Sequence, residues 1–335
     1  MSLFGGLFKT KPTEPLTRLF FASDLHGSER TFRKFLASAR HYDAKILIMG
    51  GDVAGKLAVP IIREAGHGYR VRLMGRTEHF VDEPSMAGLF ERLGTLGYYG
   101  KIMEEAEFLQ INADPVKTEA LFLELATERL QSWLDLAEER LGPLGAKLYM
   151  MGGNDDEQQM LARVAAKPYQ HVVFCEDQLV KIDEYHVMVS NGYGTPTPWR
   201  TPREVSDEVL QTMLEAQARL VHDPARAIFN FHVPPIDSTL DTCPQLDWNT
   251  DPPAQIVKGG QPVLYGAGSR AVREIIEKYQ PLLSLHGHIH ESGGVTKIGR
   301  TTAINPGSEY GEGILRGCLI TLAPDSVRSF QMTSG

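Results

Sequence analysis

The sequence predicts a layered α/β fold, with strands of mixed direction stacked in sheets and helices outside them. Near the N-terminus, Arg18–Ser23 (RLFFAS) and Lys45–Met49 (KILIM) are short β-rich runs that flank a helical pattern. A strand–helix–strand unit of this kind calls for parallel strands and a right-handed crossover. The same theme returns twice further along the chain. The last forty residues or so instead read as antiparallel β, which makes the sheets mixed.

In chain order, Ser28–Arg40 carries Phe32, Phe35, Leu36 and Ala39 at helical spacing, with Ser28 placed as N-cap. Lys147–Met151 (KLYMM) is the next strand, followed by a helix near Glu157–Ala166 and a strand at Val172–Phe174. Ala227–Phe231 (AIFNF), a helix at Ser269–Tyr279 and Leu282–Leu285 repeat the alternation. Val295–Ile298, Thr301–Ile304, Ile314–Leu322 and Val327–Gln331 form the closing β stretch. Residues 1–16 read as an N-terminal arm and 17–335 as one domain, interrupted by an insertion at about 54–143. The insertion has a short β-like patch at Tyr69–Met74 and is otherwise mainly helical. Asp114-Pro115 is an N-cap and N1 pair that opens an amphipathic stretch to Leu141, striped by Leu123, Ala126, Leu130, Trp133, Leu134, Ala137 and Leu141. That stripe suits a helix packed on its own domain, or a cap or homodimerisation element.

Hydrophobic residues make up 42% of the chain and charged residues 23%, which excludes collagen-like, low-complexity and disordered classes. Lys and Arg (34) against Asp and Glu (42) leave a net charge of −8, so the surface as a whole should repel polymeric nucleic acid and anionic membranes. Cys175, Cys243 and Cys318 are too few and too scattered for a disulfide framework, and they read as reduced thiols. With no apolar run of membrane-spanning length and no convincing export signal, the expected location is the cytoplasm.

Two glycine motifs are rejected. Gly50–Lys56 fits G-x-x-x-x-G-K, but Leu57 stands where a phosphate loop needs a hydroxyl, and Asp52 would put a negative charge inside the anion nest. Gly266–Ala271 mimics a dinucleotide fingerprint, yet it comes late and without the required β-α-β unit. A turn capped by Ser269 explains it more simply.

Five fragments carry the chemistry: Asp24-Leu25-His26-Gly27, Gly51-Asp52, Gly153-Asn154-Asp155-Asp156, His232-Val233-Pro234-Pro235 and Gly287-His288-Ile289-His290. Each follows an apolar strand, the place where α/β sheets gather ligands. Carboxylate, amide oxygen and imidazole together suit borderline divalent ions such as Mn, Fe, Zn or Ni. In D-x-H and H-x-H, residues two apart share a face of extended backbone, so both side chains point the same way.

These fragments resemble the calcineurin-like metallophosphoesterase signature D-x-H…G-D…G-N-H-[DE]…H…G-H-x-H, and Asn305-Pro306-Gly307-Ser308 resembles a turn of its small prokaryotic members. The resemblance spans about 18–52 and 147–308. It implies a four-layer αββα sandwich of two mixed sheets holding a dinuclear centre. Asp24, His26 and His290 would bind one metal, Asn154, His232 and His288 the other, and Asp52 would bridge. The implied activity is a metal-dependent phosphoesterase, acting on the phosphodiester bonds of a small soluble substrate through a metal-bridging hydroxide. A phosphomonoesterase and a catalytically weak scaffold of the same fold are the alternatives.

One block departs from the pattern. Asp155 stands where the resembling family has a histidine that helps the leaving group and is the candidate catalytic residue, although a carboxylate beside cations is a poor acid. This shifts the expectation toward diesterases or non-catalytic use. Trp199 and Arg200, in a Pro/Gly-rich loop, are candidates for stacking on a base and pairing with a phosphate oxygen. His67 and His79 of the insertion are candidates for the missing acid.

Overall fold

The structure, a computed structural model, describes residues 15–64, 66, 68–250 and 253–335. Most of the arm and His67 therefore lie outside the described residues.

Period-two alternation decides the layering. In the strand Thr17–Ala22, Leu19 and Phe21 enter one apolar cluster while Phe20 and Ala22 enter another, and all four are buried. A strand covered on both faces needs a sheet on one side and helices on the other. Two six-stranded sheets meet that demand. The first runs 326–334, 316–323, 17–22, 46–49, 147–150, 172–174, with the last four strands parallel. The second runs 294–298, 301–305, 283–285, 227–231, 187–191, 180–181, with the middle four parallel.

Phe21, Ile48 and Tyr149 of the first sheet meet Met188, Ile228, Leu285 and Ile304 of the second in the central core. The outer face of the first sheet (Phe20, Leu47, Met49, Leu148) packs on helices Glu29–His41, Pro115–Leu141 and Gln158–Ala165. The outer face of the second (Val189, Phe229, Phe231, Ala303) packs on Asp207–Ala218 and Arg270–Tyr279. The order is αββα, as the resemblance implied.

The insertion differs from its sequence reading. Its first half is a four-stranded sheet, ordered 76–80, 68–73, 57–64, 98–104, with helix Ala87–Leu96 closing a small core of Val59, Ile61, Val71, Leu89 and Leu93. The mainly helical expectation holds only for its second half, Glu105–Asn112 and Pro115–Leu141. The stripe of that long helix is spent inside its own domain: the Trp133 ring stacks on Phe32 at 4.2 Å, and its indole N–H donates to Glu29 at 2.6 Å.

The closing β stretch is not one meander. Thr301–Asn305 pairs parallel with Leu283–Leu285 in the second sheet, whereas Arg316–Ala323 crosses to the first. Asp114 and Ser269 cap their helices through side-chain oxygens, accepting from Val116 and Val272. Ser28 occupies an N-cap position, but its hydroxyl donates to the Thr95 and Tyr310 carbonyls instead. The three cysteines are free thiols. Among the described residues no helix is long and apolar enough to cross a membrane.

Candidate metal centre

Both sheets point the carboxyl ends of their parallel strands at one place, and the five fragments are the turns that leave those ends. Thr17–Ala22 leads to Asp24 and His26, Ile46–Met49 to Asp52, and Lys147–Met150 to Asn154. Ala227–Phe231 leads to His232, and Leu283–Leu285 to His288 and His290. The D-x-H and H-x-H pairs do not converge from extended backbone as their spacing suggested; the turns are strained, and Asp24, His26, Asp52 and His288 all have positive φ, between 42° and 67°. Non-glycine residues rarely hold that conformation, and where they do the surroundings over-determine it.

Here the surroundings do so with hydrogen bonds. The Asp24 carboxylate accepts the His288 N–H at 2.9 Å, and Ser308 donates to the Asp24 carbonyl at 2.7 Å. The Asn305 amide donates to the carbonyls of Gly287 and Ile289, on either side of His288. Asp156 accepts from the N–H groups of Val53, Ala54 and Gly153 and so ties the Asp52 turn to the Asn154 turn. Burial, joined by the charge of Asp52, pushes the Asp156 carboxyl up to about 7 against those donors.

Two groups of side chains converge, and a third shares members with both. Ligand atoms of Asp24, His26 and His290 lie within 4.8 Å of one another, as do those of Asp52, His232 and His288, and those of His26, Asp52 and Asp155. The two groups meet at Asp52, whose Oδ2 is 3.6 Å from His26 Nε2 and whose Oδ1 is 3.4 Å from His232 Nε2. Asn154 joins the second group, its Oδ1 lying 2.7 Å from His288 Nδ1. Thr201 fixes that amide by accepting from Asn154 Nδ2 at 2.8 Å. All seven residues proposed as ligands from the sequence are thus neighbours in space.

Several of these atoms lack protein partners suited to them. His232 Nδ1 faces the Gly50 carbonyl at 2.8 Å, which leaves Nε2 buried without a hydrogen bond; His26 Nδ1 is likewise unpaired. His26 Nε2 and His290 Nε2 face each other at 3.1 Å. Two ligand atoms about 2.1 Å from one cation stand roughly 3.0–3.4 Å apart at octahedral to tetrahedral angles. The donor set and its spacing therefore fit divalent ions.

The shifts in pKa that the surroundings impose reflect the same crowding of charge. Burial, the largest influence on Asp24, raises its pKa, but the His290 hydrogen bond and the His232 charge outweigh it and hold the carboxyl at about 2. Burial would lower His232, yet the neighbouring Asp52 carboxylate carries it up to about 10. Burial holds His288 down at about 4, helped by the charge of His232. His286, between the strand and His288, turns away: its ring bonds Ser284 and the Phe231 carbonyl, each at 2.8 Å.

Other expected residues fall outside the cluster. Trp199 is 66% exposed and meets Trp248 edge-on at 5.4 Å, and Arg200 is exposed with φ 52°. Their link to the centre is Thr201, the next residue. His79 pairs with Glu64 at 3.1 Å on the insertion sheet rather than supplying an acid to the centre. Sequence reasoning missed Thr201, and it missed Tyr310, whose ring lies 4.7 Å from that of His26. It also missed Lys56, whose Nζ is 2.9 Å from Asp155 Oδ2. Lys56 and Tyr310 each stand within a few residues of a motif, the only signal that pointed to them.

No protein-family model matches the chain. An uncharacterised protein of Methanocaldococcus jannaschii is 29% identical over 132 residues, 39% of this chain and 52% of that protein, so the chain spans about half the length of the curated relative it matches. One solved crystal structure is similar with a TM-score of 0.56 at 14% identity, covering 95% of this chain and 99% of the other, which shows a shared fold. A Thermus thermophilus protein reaches 0.49 at 14% identity, covering 95% and 99%. An archaeal phosphodiesterase reaches 0.35 at 10% identity, covering 95% and 100%. These last two are too distant to bear on this chain.

Proposed function

We propose that the protein is a dinuclear metal-dependent phosphoesterase that hydrolyses phosphodiesters of small soluble molecules. The observation that carries this is the position of Asp52, one carboxylate with an oxygen toward each of two clusters of carboxylate and imidazole. When bound, two divalent ions there would polarise a phosphoryl group and acidify a water.

The chain's own residues do the rest. Asp24, His26 and His290 would hold one ion, and Asn154, His232 and His288 the other, with Asp52 between them. The Gly50 carbonyl fixes the His232 tautomer with Nε2 inward. Thr201 turns the Asn154 oxygen toward His288. The Tyr310 ring packs 4.7 Å from that of His26, which is fully buried. Asp155 stands at the rim, its carboxylate paired with the Lys56 ammonium at 2.9 Å.

The test is metal content and turnover together. Protein purified without chelator should carry up to two divalent ions and cleave a chromogenic aryl diester. Chelation should abolish turnover and Mn²⁺ should restore it, while Asp52→Asn should lose both metal and activity. Turnover that persists in Asp52→Asn, or after exhaustive chelation, refutes the reading. Faster cleavage of the matching monoester moves it to a phosphomonoesterase, and metal retention without any turnover moves it to a scaffold.

A further inference from the structure

Lys56, the last residue of the rejected G-x-x-x-x-G-K run, ends at the rim of the centre. Its ammonium is 2.9 Å from Asp155 Oδ2, and its side chain remains 46% exposed. Asp155 is itself anchored to the cluster: its N–H donates to Asp52 Oδ1 at 3.0 Å, and its carboxylate lies 3.7 Å from His26 Nδ1. We propose that Lys56, held by Asp155, is the substrate-binding cation of this centre and contacts an oxygen of the phosphoester group. This rests on the phosphoesterase reading and deepens it.

Three observations argue for a role beyond a surface ion pair, which alone is worth little. The first is charge. Asp155 brings a third carboxylate to a cluster that already holds Asp24 and Asp52. Without Lys56 that carboxylate would repel a phosphoester; with it, the rim is neutral toward Asp155 and still offers N–H donors outward.

The second is placement. Lys56 follows directly on Gly55, and Gly55 has no room to shift: an added Cβ would stand 1.9 Å from the Gly97 carbonyl oxygen and 3.0 Å from Tyr99. The Gly55 N–H also donates to the Tyr99 hydroxyl. The backbone that carries Lys56 is therefore fixed against the insertion, while its side chain keeps a free face. The third is chemistry. Burial works against the Lys56 charge, but Asp155 outweighs it and holds the ammonium above the usual lysine range. Its part is then a standing charge and hydrogen-bond donor, with no proton transferred.

The experiment compares metal-loaded wild type with Lys56→Met, Lys56→Arg and Asp155→Asn. Inorganic phosphate binding is read by calorimetry, and metal stoichiometry by elemental analysis. Lys56→Met should weaken phosphate binding by about 10- to 100-fold, the loss expected for one hydrogen bond to a charged group. Its metal stoichiometry should match wild type, and Lys56→Arg should recover most of the affinity. Asp155→Asn, which keeps the ammonium and removes a repelling carboxylate, should bind phosphate more tightly than Lys56→Met. Phosphate binding unchanged in Lys56→Met overturns the proposal and leaves the phosphoesterase reading standing. Loss of metal in Lys56→Met also overturns it, because Lys56 would then only support the cluster. Wild type that takes up no metal refutes the parent reading and this one with it.

Discussion

Gly97→Ala tests whether the insertion sets the geometry of the candidate metal centre. Gly97 ends helix Ala87–Leu96 in the left-handed region at φ 75°, and its Cα faces the turn that carries His26. A Cβ built there stands 1.8 Å from the His26 carbonyl oxygen. Since Cβ contacts under 3.0 Å are essentially never seen, that turn or the insertion must move by roughly 1.2 Å. Metal–ligand distances tolerate only about 0.2 Å. Gly145→Ala is the control, since it has nearly the same backbone, φ 60°, and nothing within 4 Å of its Cβ. Both variants pay about 1–2 kcal/mol for a side chain in the left-handed region. Gly97→Ala should lose about 1–3 kcal/mol more through overpacking, read by urea unfolding of the chelated proteins. It should also bind the ion of Asp24, His26 and His290 about 10- to 100-fold more weakly, as loss of supporting contacts does in metal sites. Equal stability and equal metal affinity in the two variants would refute the coupling.

Three further outcomes follow from the same geometry. Thr201→Val removes the acceptor that orients Asn154 and should cost about 10- to 100-fold in affinity for the Asn154 ion; metal titration that finds no change refutes the role. Chelation should lower the melting temperature, since a metal at a thousand times its Kd stabilises by about 4 kcal/mol; scanning calorimetry with and without Mn²⁺ checks this. Asp183 accepts from Thr17 of the first sheet and from His186 three residues along its own turn, and although burial raises its pKa, those bonds hold it well below the usual carboxylate range. A depressed pKa stabilises above the unfolded value of about 4 and is lost as pH falls through the folded one. Asp183→Asn should therefore be less stable by about 1–3 kcal/mol at pH 7, and the gap should narrow progressively as pH falls below about 4 in acid titrations followed by circular dichroism.

The sandwich and its seven converging side chains were legible because each ligand type sits directly after a run of buried apolar residues. Such runs mark strand ends, and strand ends in parallel sheets share an edge. The insertion sheet was not legible, and Pro60 shows why. It lies in Leu57–Glu64, a strand with partners on both sides, where proline argues against a strand. The pairing with Gly68–Leu73 covers only Ile61–Glu64, so at Pro60 the strand is locally an edge. Tyr98–Glu104 (YYGKIME) is no clearer, with a glycine and a lysine breaking its alternation. Thr201 was missed by one residue, because the aromatic and cationic side chains beside it drew the assignment. Lys56 was missed because its motif was weighed only as a phosphate nest, where Asp52 counted against it; the same Asp52 places it beside the centre.

The strain in the ligand turns bears on how the centre is built. Four of its residues hold positive φ, each costing about 1–3 kcal/mol. If cations alone offset that cost, the turns would have no protein bonds holding them. They have many: the Asp24 carboxylate on the His288 N–H, Asn305 across the His288 turn, Asp156 on three N–H groups, and the close approach of Gly27, Gly55 and Gly97. The turns are thus set by protein contacts, and cations bound there would enter a cradle already formed. It follows that chelated protein, though less stable, should keep its near-ultraviolet circular dichroism and cooperative unfolding, unlike a domain that folds only around its metal. A chelated state that keeps helical signal but loses the near-ultraviolet spectrum would mean that the cations hold the turns, and that the hydrogen bonds among them are too weak to do so.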